Sequence, residues 1–382
     1  MSKPHIEFFK HAIDDECLEE FNKTAKNLFI TTGPKTEEFE KAFAGYLNVQ
    51  NAVGTMSCTH SLQLAYLTLG VGKNDEVIIP AFTFLATATS IIHAGAKPIF
   101  VDVDPRTGIL DPDAAERAIT SRTKAICPVH IYGVMAPMER FAEIAQKHEI
   151  KLIEDAAHCI EGRGPGFGPG TLSDAAAFSF YATKNITCGE GGALVTRHDE
   201  VANKAKVLRN HGMDKNAVDR FNVKLPAYDV RSLGFKSNMN DLQASLLLPQ
   251  LRKIEERLKR RAEIVKKYNK GLAGVKGITL PVVPDGYKTA HHLYTVRISP
   301  DGKRDEFLGG MNHAGVHCSV NFRPISDLYY FREELGLKPE TCPNATAFGN
   351  SVLTLPLYPS LRDDEVNTVI ESVKTVAKKL LA

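Results

Sequence analysis

The sequence lacks the features that mark several specialised classes of protein. Its seven cysteines are scattered without a CxxC pair, so we expect neither a zinc site nor a disulfide framework, and the odd number favours a reducing cytoplasm. No stretch approaches the roughly 18 apolar residues of a membrane span, and the N-terminus has no signal-peptide core. The 47 basic and 45 acidic residues nearly balance, which gives no reason to expect nucleic acid or a membrane as a partner.

A regular alternation of strand-like and helix-like segments fills residues 52 to 200. Buried strands are predicted by the apolar runs NAVGTM, DEVIIP, KPIFVDVD, TKAICPVHI, IKLIEDAA, DAAAFSF and GGALVT. Helix-length segments such as PMERFAEIAQKH separate most of them. This alternation predicts a mainly parallel, doubly wound α/β sheet, in which ligands bind beyond the carboxyl ends of the strands.

Helical periodicity stands out at both ends of this region. TEEFEKAFAGYL predicts a helix with Thr36 as its N-cap and an apolar face made of Phe39, Phe43 and Leu47. Residues 239 to 272 predict one long helix with a kink at Pro249. Within it, KIEERLKRRAEIVKKY mixes basic residues with glutamate at helical spacing, which predicts a solvated helix face.

The pattern changes in the last third of the chain. HHLYTVRIS and VHCSVNFR predict strands, and RDEFLGGMNHAG and DDEVNTVIESVKTVAKKLL predict helices. We therefore predict two domains, a large α/β domain at residues 1–250 and a small C-terminal α+β domain at residues 251–382.

Lys184 lies in SFYATKNITCGEGGA, between an apolar run and a glycine-rich turn. A lysine considered alone is most often an exposed loop residue. Here the preceding segment AAAFSF is apolar on both faces, so it is expected to end at the mouth of a parallel sheet. The following GEGG allows backbone to approach a bound ligand closely. A lysine in this place is a candidate Schiff-base amine with a lowered pKa.

Three other motifs follow predicted strands. In IEDAAH, Asp155 and His158 are ordinary turn residues, or Asp155 supplies a carboxylate that pairs with the protonated ring nitrogen of a pyridinium cofactor, with His158 nearby. In TMSCTHSLQLA, Ser57 or Thr59 caps a helix, or the helix N-terminus binds a phosphate. In PAFTFLATA, Phe84 is either a core residue or the cover of a flat ring.

These motifs together match the parts of one ligand. Pyridoxal 5′-phosphate (PLP) has a phosphate and a flat pyridine ring, its ring nitrogen needs an acid as partner, and its aldehyde needs a lysine. The combination is far more specific than any one of its members.

The order of these motifs resembles a known family. SCTHSLQLA, GKNDEVIIPAFTFLATA, IEDAAH, SFYATKNITCGEGGALVT and GFKSNMNDLQA are similar to motifs of the DegT/StrS-type nucleotide-sugar aminotransferases. Those enzymes use PLP and have the aspartate-aminotransferase fold, fold type I, in which the large domain binds the cofactor. The similarity runs from residue 31 to residue 366, which is nearly the whole chain.

The resemblance implies roles for four residues around the cofactor ring. Lys184 matches the lysine that bonds to the cofactor aldehyde, and Asp155 matches the carboxylate that pairs with the ring nitrogen. His158 occupies the position beside the ring hydroxyl, and Phe84 the position of the aromatic that stacks on the ring.

The resemblance also implies a phosphate site that two subunits share. Thr59, His60 and Ser179 match residues that hold the cofactor phosphate. Lys236 and Asn238, in GFKSN, fall where family members reach the phosphate of the partner subunit. A homodimer with shared active sites is therefore expected.

The implied reaction moves an amino group from L-glutamate to a nucleotide-linked keto sugar. A 4-keto sugar on UDP or dTDP, used for surface polysaccharide, is the expected acceptor. Candidate basic groups for this substrate are Lys35, His292 and Arg323. The segment NFRPIS departs from the family pattern, since Asn321 and Ser326 replace two histidines that many members have.

Other readings remain open at this stage. One alternative is a different PLP reaction on the same fold, either sugar dehydration or cysteine desulfuration. The related dehydratases carry histidine in place of the lysine, so Lys184 argues against dehydration. A non-catalytic sensor that kept the fold, or an unrelated α/β protein with a surface lysine, are the alternatives from other classes.

Overall fold

The computed structural model describes residues 5–28, 30–214 and 228–381. Its larger sheet contains seven strands: β1 (Asn51–Thr55), β2 (Glu76–Pro80), β3 (Lys97–Val101), β4 (Thr123–Ile126), β5 (Lys151–Asp155), β6 (Ala175–Ser179) and β7 (Gly192–Thr196). Their order is β1-β7-β6-β5-β4-β2-β3. Strands β2 to β6 pair in parallel, whereas β7 is antiparallel to both β6 and β1. The predicted mainly parallel sheet is confirmed, with β7 as its reversed strand.

Helices cover both faces of this sheet. Among the described residues they are α1 (Asp15–Ala25), α2 (Pro34–Leu47), α3 (Cys58–Thr68), α4 (Ala86–His93), α5 (Pro112–Arg117), α6 (Met138–Lys147), α7 (Asp199–Leu208), α8 (Asp241–Arg252), α9 (Ile254–Leu272), α10 (Arg304–His313), α11 (Pro343–Ser351) and α12 (Asp363–Leu380). In β2, Val77 and Ile79 join a core with α3, α4 and α7, while Ile78 joins a core with α6 on the opposite face. Successive side chains of a strand point to opposite faces, so a strand covered on both sides must be apolar throughout. None of the described helices combines the length and apolar character that a membrane crossing requires.

The N-terminus of α2 is capped from elsewhere in the chain. The apolar face made of Phe39, Phe43 and Leu47 is confirmed as buried, but Thr36 is not the N-cap, because the helix already begins at Pro34 after Gly33. The carboxylate of Asp241, in the first turn of α8, accepts hydrogen bonds from the N–H groups of Gly33 and Thr36, both at 2.9 Å. The Thr36 hydroxyl donates to the same carboxylate at 2.7 Å. A side chain about 200 residues away thus satisfies the free donors of this helix end.

Replacement of Asp241 by alanine is expected to lower the free energy of unfolding by about 3 kcal/mol, since it leaves several buried donors without an acceptor. Urea denaturation at a fixed protein concentration would measure the change. Asp301→Ala is the control, because Asp301 is exposed. A loss no larger than that of the control would contradict the capping role.

The predicted single helix from 239 to 272 is wrong. Helix α8 ends at Arg252 and α9 begins at Ile254, so the break lies at Lys253, while Pro249 lies inside α8. The two helices bury their apolar faces in different cores: α8 packs on the large sheet, and α9 packs with the small one. The change of direction follows from this division, which helical periodicity alone does not reveal.

The small sheet contains β8 (Ile278–Thr279), β9 (Tyr294–Ile298) and β10 (Val352–Leu355), all antiparallel, in the order β10-β9-β8. The predicted strand in HHLYTVRIS is confirmed, as are the helices α10 and α12. The predicted strand VHCSVNFR is wrong. Val316 bridges to Ile6 and Ser319 bridges to Thr354, so this segment contacts two different partners and forms no continuous ladder. The predicted domain boundary near residue 250 stays a prediction.

Candidate functional site

A cavity of about 580 Å³ opens at the carboxyl ends of β2, β5 and β6. Seven of the predicted site residues line it: Thr59, Phe84, Asp155, His158, Ser179, Lys184 and His292. The large sheet brings the first six together, because parallel strands that end at the same edge deliver their following residues to one place. His292 arrives from the segment before β9.

Lys184 lies on the turn after β6, and its side chain is partly buried beside Asp155 and Cys58. The backbone N–H of Lys184 donates to the carbonyl of Tyr181 at 2.9 Å, which fixes the turn. Burial lowers the pKa of the Lys184 ammonium to about 8, although Cys58 and the carboxylate of Asp155 oppose the shift. About a tenth of this amine is therefore unprotonated at pH 7, far more than for an exposed lysine, and an amine that attacks an aldehyde must be in this form.

The modification of Lys184 by an amine reagent is expected to follow this lowered pKa. In the cofactor-free protein its rate should reach half of its plateau near pH 8. An exposed lysine, by comparison, has a pKa of about 10.4. Mass spectrometry of peptides after brief reductive methylation at a series of pH values would measure both rates in one sample. A half-plateau for Lys184 at the pH of the exposed lysines would contradict the shift.

Asp155 ends β5 with a buried carboxylate. Its Oδ2 atom accepts a hydrogen bond from the Thr87 hydroxyl at 2.7 Å, and its Oδ1 atom accepts one from the Ala157 N–H at 3.1 Å. Burial raises the pKa of Asp155, while these two donors and the nearby Lys184 ammonium partly offset the rise. A carboxylate held in this way favours a cationic N–H partner inside the cavity.

The rings of His158 and His292 lie against each other on the wall of the cavity, with their planes inclined by 45°. Their centroids are 4.5 Å apart, and the ring of Phe322 lies 5.8 Å from that of His158. Burial lowers the pKa of both imidazoles well below the usual range, and the nearby Lys184 ammonium lowers it further. Both rings are consequently neutral at physiological pH.

The N-terminus of α3 points its free N–H groups toward the cavity. Ser57 is the N-cap and accepts a hydrogen bond from the His60 N–H at 3.2 Å, so the capping interpretation of this motif holds for Ser57. Ser57, Cys58 and Thr59 line the cavity, which places a helix N-terminus where an anion would bind. A Cβ atom at Gly192 would lie 2.3 Å from the Ser57 carbonyl carbon, so this glycine of GEGG lets β7 pass against the start of α3.

The residues of this cavity fit PLP. The helix N-terminus and the Ser179 hydroxyl suit a phosphate, the Asp155 carboxylate suits a protonated ring nitrogen, and the Lys184 amine suits an aldehyde. The ring of Phe84 is 50% exposed, so one aromatic face is available for stacking. The cavity volume also lies in the range of about 300–1,000 Å³ that is usual for such ligands.

Five other predicted site residues do not line this cavity. The Lys35 ammonium pairs with the carboxylates of Glu20 at 3.4 Å and Glu38 at 2.9 Å, and Arg323 is exposed. His60 faces the capping Ser57, its Nδ1 atom lying 3.2 Å from the Ser57 Oγ atom. The other two line a second cavity, of about 730 Å³: Lys236 and Asn238.

Several residues that support the site were missed by sequence reasoning. Thr87 lies in a run that predicts only a helix, and Asn185 directly follows Lys184 in a segment for which the sequence predicts no other site residue. Arg261 was predicted to lie on a solvated helix face, which is wrong, since it is 2% exposed and pairs with the buried carboxylate of Glu161. The position of Asn185 beside the lysine was the one usable signal in the sequence.

Comparison with known proteins extends this description. The model of the DegT/DnrJ/EryC1/StrS aminotransferase family matches residues 11–374. The spore coat polysaccharide biosynthesis protein SpsC of Bacillus subtilis (strain 168) is 40% identical over 371 residues, which are 96% of this chain and 95% of that protein.

Solved structures agree closely over the full length. The PMP-form of Spr1654 from Streptococcus pneumoniae superposes with a TM-score of 0.94 at 32% identity, over 99% of this chain and 100% of that one. The same protein has also been solved in a PLP-form, with a TM-score of 0.93. Helicobacter pylori PseC, an aminotransferase involved in the biosynthesis of pseudoaminic acid, gives a TM-score of 0.91 at 25% identity, over 98% of this chain and 100% of that one.

Proposed function

Because the chain belongs to the DegT/DnrJ/EryC1/StrS aminotransferase family, we propose that it transfers an amino group from L-glutamate to a nucleotide-linked keto sugar. It is a PLP-dependent sugar aminotransferase of fold type I, as its family and its structural neighbours in PLP and PMP forms establish. The donor and the nucleotide are the proposed part. The observation that carries the proposal is the Lys184 amine, with its lowered pKa, in one cavity with Asp155.

Lys184 is proposed to move the proton. When bound, PLP supplies an electron sink for the negative charge that develops at the reacting carbon. Unprotonated at Nζ, Lys184 removes the proton from the carbon that bears the amino group, and as an ammonium it returns a proton later in the reaction. Asp155, at the end of β5, would pair through its carboxylate with a protonated ring nitrogen. The N-terminus of α3 and Ser179 would hold the phosphate end, and Phe84 would cover one face of the ring.

The acceptor sugar is proposed to enter past His292 and the segment after it. Phe322 lines the cavity, and the neighbouring Arg323 is exposed, so its guanidinium is placed to meet nucleotide phosphates outside the cavity. Lys35 is the weaker candidate, because two carboxylates already pair with its ammonium. We propose a 4-keto sugar on UDP or dTDP as the acceptor, for surface polysaccharide biosynthesis; SpsC supports the pathway class by its name.

A homodimer with shared active sites is also proposed. Lys236 is exposed on the wall of the second cavity, away from the Lys184 of its own chain. Next to it, the Oδ1 atom of Asn238 is buried and has no hydrogen-bond partner among the described residues. A phosphate held jointly with a second subunit would give the Lys236 ammonium a partner, whereas the Asn238 Oδ1 atom, an acceptor like the phosphate oxygens, needs a donor from the second subunit. The cytoplasmic location stays a prediction from the cysteine pattern.

The test of the proposed function is nitrogen transfer. The purified protein would be incubated with ¹⁵N-labelled L-glutamate and with UDP- or dTDP-linked 4-keto sugars, and the products analysed by mass spectrometry. A nucleotide sugar that gains the label, together with formation of 2-oxoglutarate, is the expected result. A sugar that loses water without gaining nitrogen would support dehydration instead. Loss of label from glutamate with no labelled sugar would refute these acceptors but not the donor.

A further inference from the structure

A buried chain of hydrogen bonds leads from the small domain to the wall of the cavity. It begins at Arg261, whose guanidinium pairs with the carboxylate of Glu161; these side chains are 2% and 1% exposed. Glu161 in turn accepts hydrogen bonds from Asn185 Nδ2, at 3.0 Å and 2.8 Å to its two oxygens. The Oδ1 atom of Asn185 lies 3.1 Å from Nδ1 of His292. Asn185 thus connects an ion pair to a histidine of the cavity.

The orientation of the Asn185 amide follows from its partners. Both the Glu161 carboxylate and the carbonyl of Ala290, at 3.1 Å, accept hydrogen bonds only, so the Asn185 NH₂ group must face them. The Arg261 guanidinium, which can only donate, pairs with the same Glu161 carboxylate, so this carboxylate acts as the acceptor for both side chains. The remaining atom, Oδ1, is an acceptor and faces His292. Only a proton on His292 Nδ1 satisfies this contact.

The neighbouring histidine has the opposite arrangement. The backbone N–H of Tyr132 donates to His158 Nδ1 at 3.2 Å, so the neutral ring of His158 carries its proton on Nε2. His292 carries its proton on Nδ1, and its Nε2 atom has no hydrogen-bond partner in the part of the chain that the structure describes. The two neighbouring rings therefore offer the cavity one N–H donor and one lone pair. Charged groups that act on His292 are the ammonium of Lys184 and the guanidinium of Arg261, and both oppose its protonation.

We propose that Asn185, held by Glu161 and Arg261, is a positioning residue that fixes His292 as the Nδ1–H tautomer. The unprotonated Nε2 atom then accepts a hydrogen bond, beside Lys184, from a hydroxyl or ammonium group of the substrate. The inference rests on the proposed function for the substrate group, whereas the tautomer itself is a property of the protein. If the Asn185 amide could turn freely, the His292 ring could carry its proton on either nitrogen. Part of the molecules would then lack an unprotonated Nε2 atom as the acceptor.

The test observes the ring nitrogens directly. The full chain, as purified with its cofactor, would be labelled with ¹⁵N in the histidine rings, and long-range ¹H–¹⁵N spectra would show which nitrogen carries the proton. His292→Gln identifies the His292 signals by their disappearance. We expect the wild-type protein to show a protonated Nδ1 and an unprotonated Nε2 for His292. A wild-type ring protonated on Nε2 would overturn the inference without any variant.

Asn185→Ala is the decisive variant. We expect loss of the Nδ1–H signature and a decrease of kcat on the order of 10-fold to 100-fold, as is typical when a partner that orients a functional histidine is removed. The KM for L-glutamate should change less. Asn344→Ala is the matched control, since the Asn344 amide also donates to a backbone carbonyl, that of Val103 at 3.1 Å, but far from the cavity. An unchanged His292 tautomer in Asn185→Ala would overturn the inference.

A second variant covers the case in which Asn185→Ala does not fold. Glu161→Gln keeps the side-chain shape but provides an NH₂ group, so the Asn185 amide can turn over and present its own NH₂ group to His292. His292 should then carry its proton on Nε2. Retention of the Nδ1–H form would count against the inference. A wrong acceptor sugar would leave all of these spectra unchanged, so the two proposals fail separately.

Discussion

Replacement of Lys184 by alanine is expected to reduce kcat by about 10⁴-fold or more, because it removes both the covalent amine and the group that moves the proton. Rates of 2-oxoglutarate formation from L-glutamate would measure the loss. Lys184→Arg should be equally inactive, since a guanidinium stays protonated and cannot act as a base. Lys97→Ala is the control, because Lys97 is exposed at the start of β3. Normal turnover in Lys184→Ala would remove this residue from the mechanism.

Although Lys184→Ala is expected to lose activity, it is not expected to lose stability below pH 8. The pKa of Lys184 falls from 10.5 to about 8 on folding, so the folded state disfavours its charged form. Between pH 8 and 10.5 the unfolded chain binds more protons, and wild-type stability therefore gains from Lys184 deprotonation as the pH rises through this window. Below pH 8, Lys184→Ala should unfold at an equal or higher urea concentration than the wild type. An inactive but destabilised variant would indicate a structural role instead.

Asp155→Asn is expected to lower kcat by up to about 10⁴-fold, the loss seen when the buried carboxylate that orients a catalytic histidine becomes an amide. The shape of the side chain is kept. The new oxygen can accept from the Ala157 N–H, and the new NH₂ group can donate to the Thr87 hydroxyl, so the fold should persist. What is lost is the negative charge that favours a protonated ring nitrogen in the cavity.

Single-turnover rates with L-glutamate would separate this effect from cofactor loss. The amount of PLP bound to the purified variant should be measured first, because the carboxylate also contributes to binding. Asp104→Asn is a suitable control, since Asp104 lies in the turn after β3, away from the cavity. Wild-type single-turnover rates in Asp155→Asn with PLP fully bound would show that the carboxylate is not needed for the chemistry.

The sequence by itself determined the large sheet and much of the cavity at its edge. A short apolar run can pair its backbone N–H and C=O groups and bury both of its faces only as a strand in a sheet that is covered on both sides. The alternation of such runs with helices therefore specified the α/β architecture. Asp155, Ser179 and Lys184 could then be placed together, since each is at or just after the carboxyl end of a neighbouring parallel strand. The same local rules predicted helices α10 and α12 and the strand β9.

Only the tertiary structure decided which side chains face that edge and what holds them. Asp241 caps a helix about 200 residues away, and Arg261, placed by periodicity on a solvated face, is buried against Glu161. Lys35 and Arg323 remain outside the cavity, whereas His292 enters it from the segment before β9. Periodicity records which face of an element is apolar, but not which distant element covers it. A buried charge or amide is satisfied by partners that folding brings from other parts of the chain, and no local pattern specifies them.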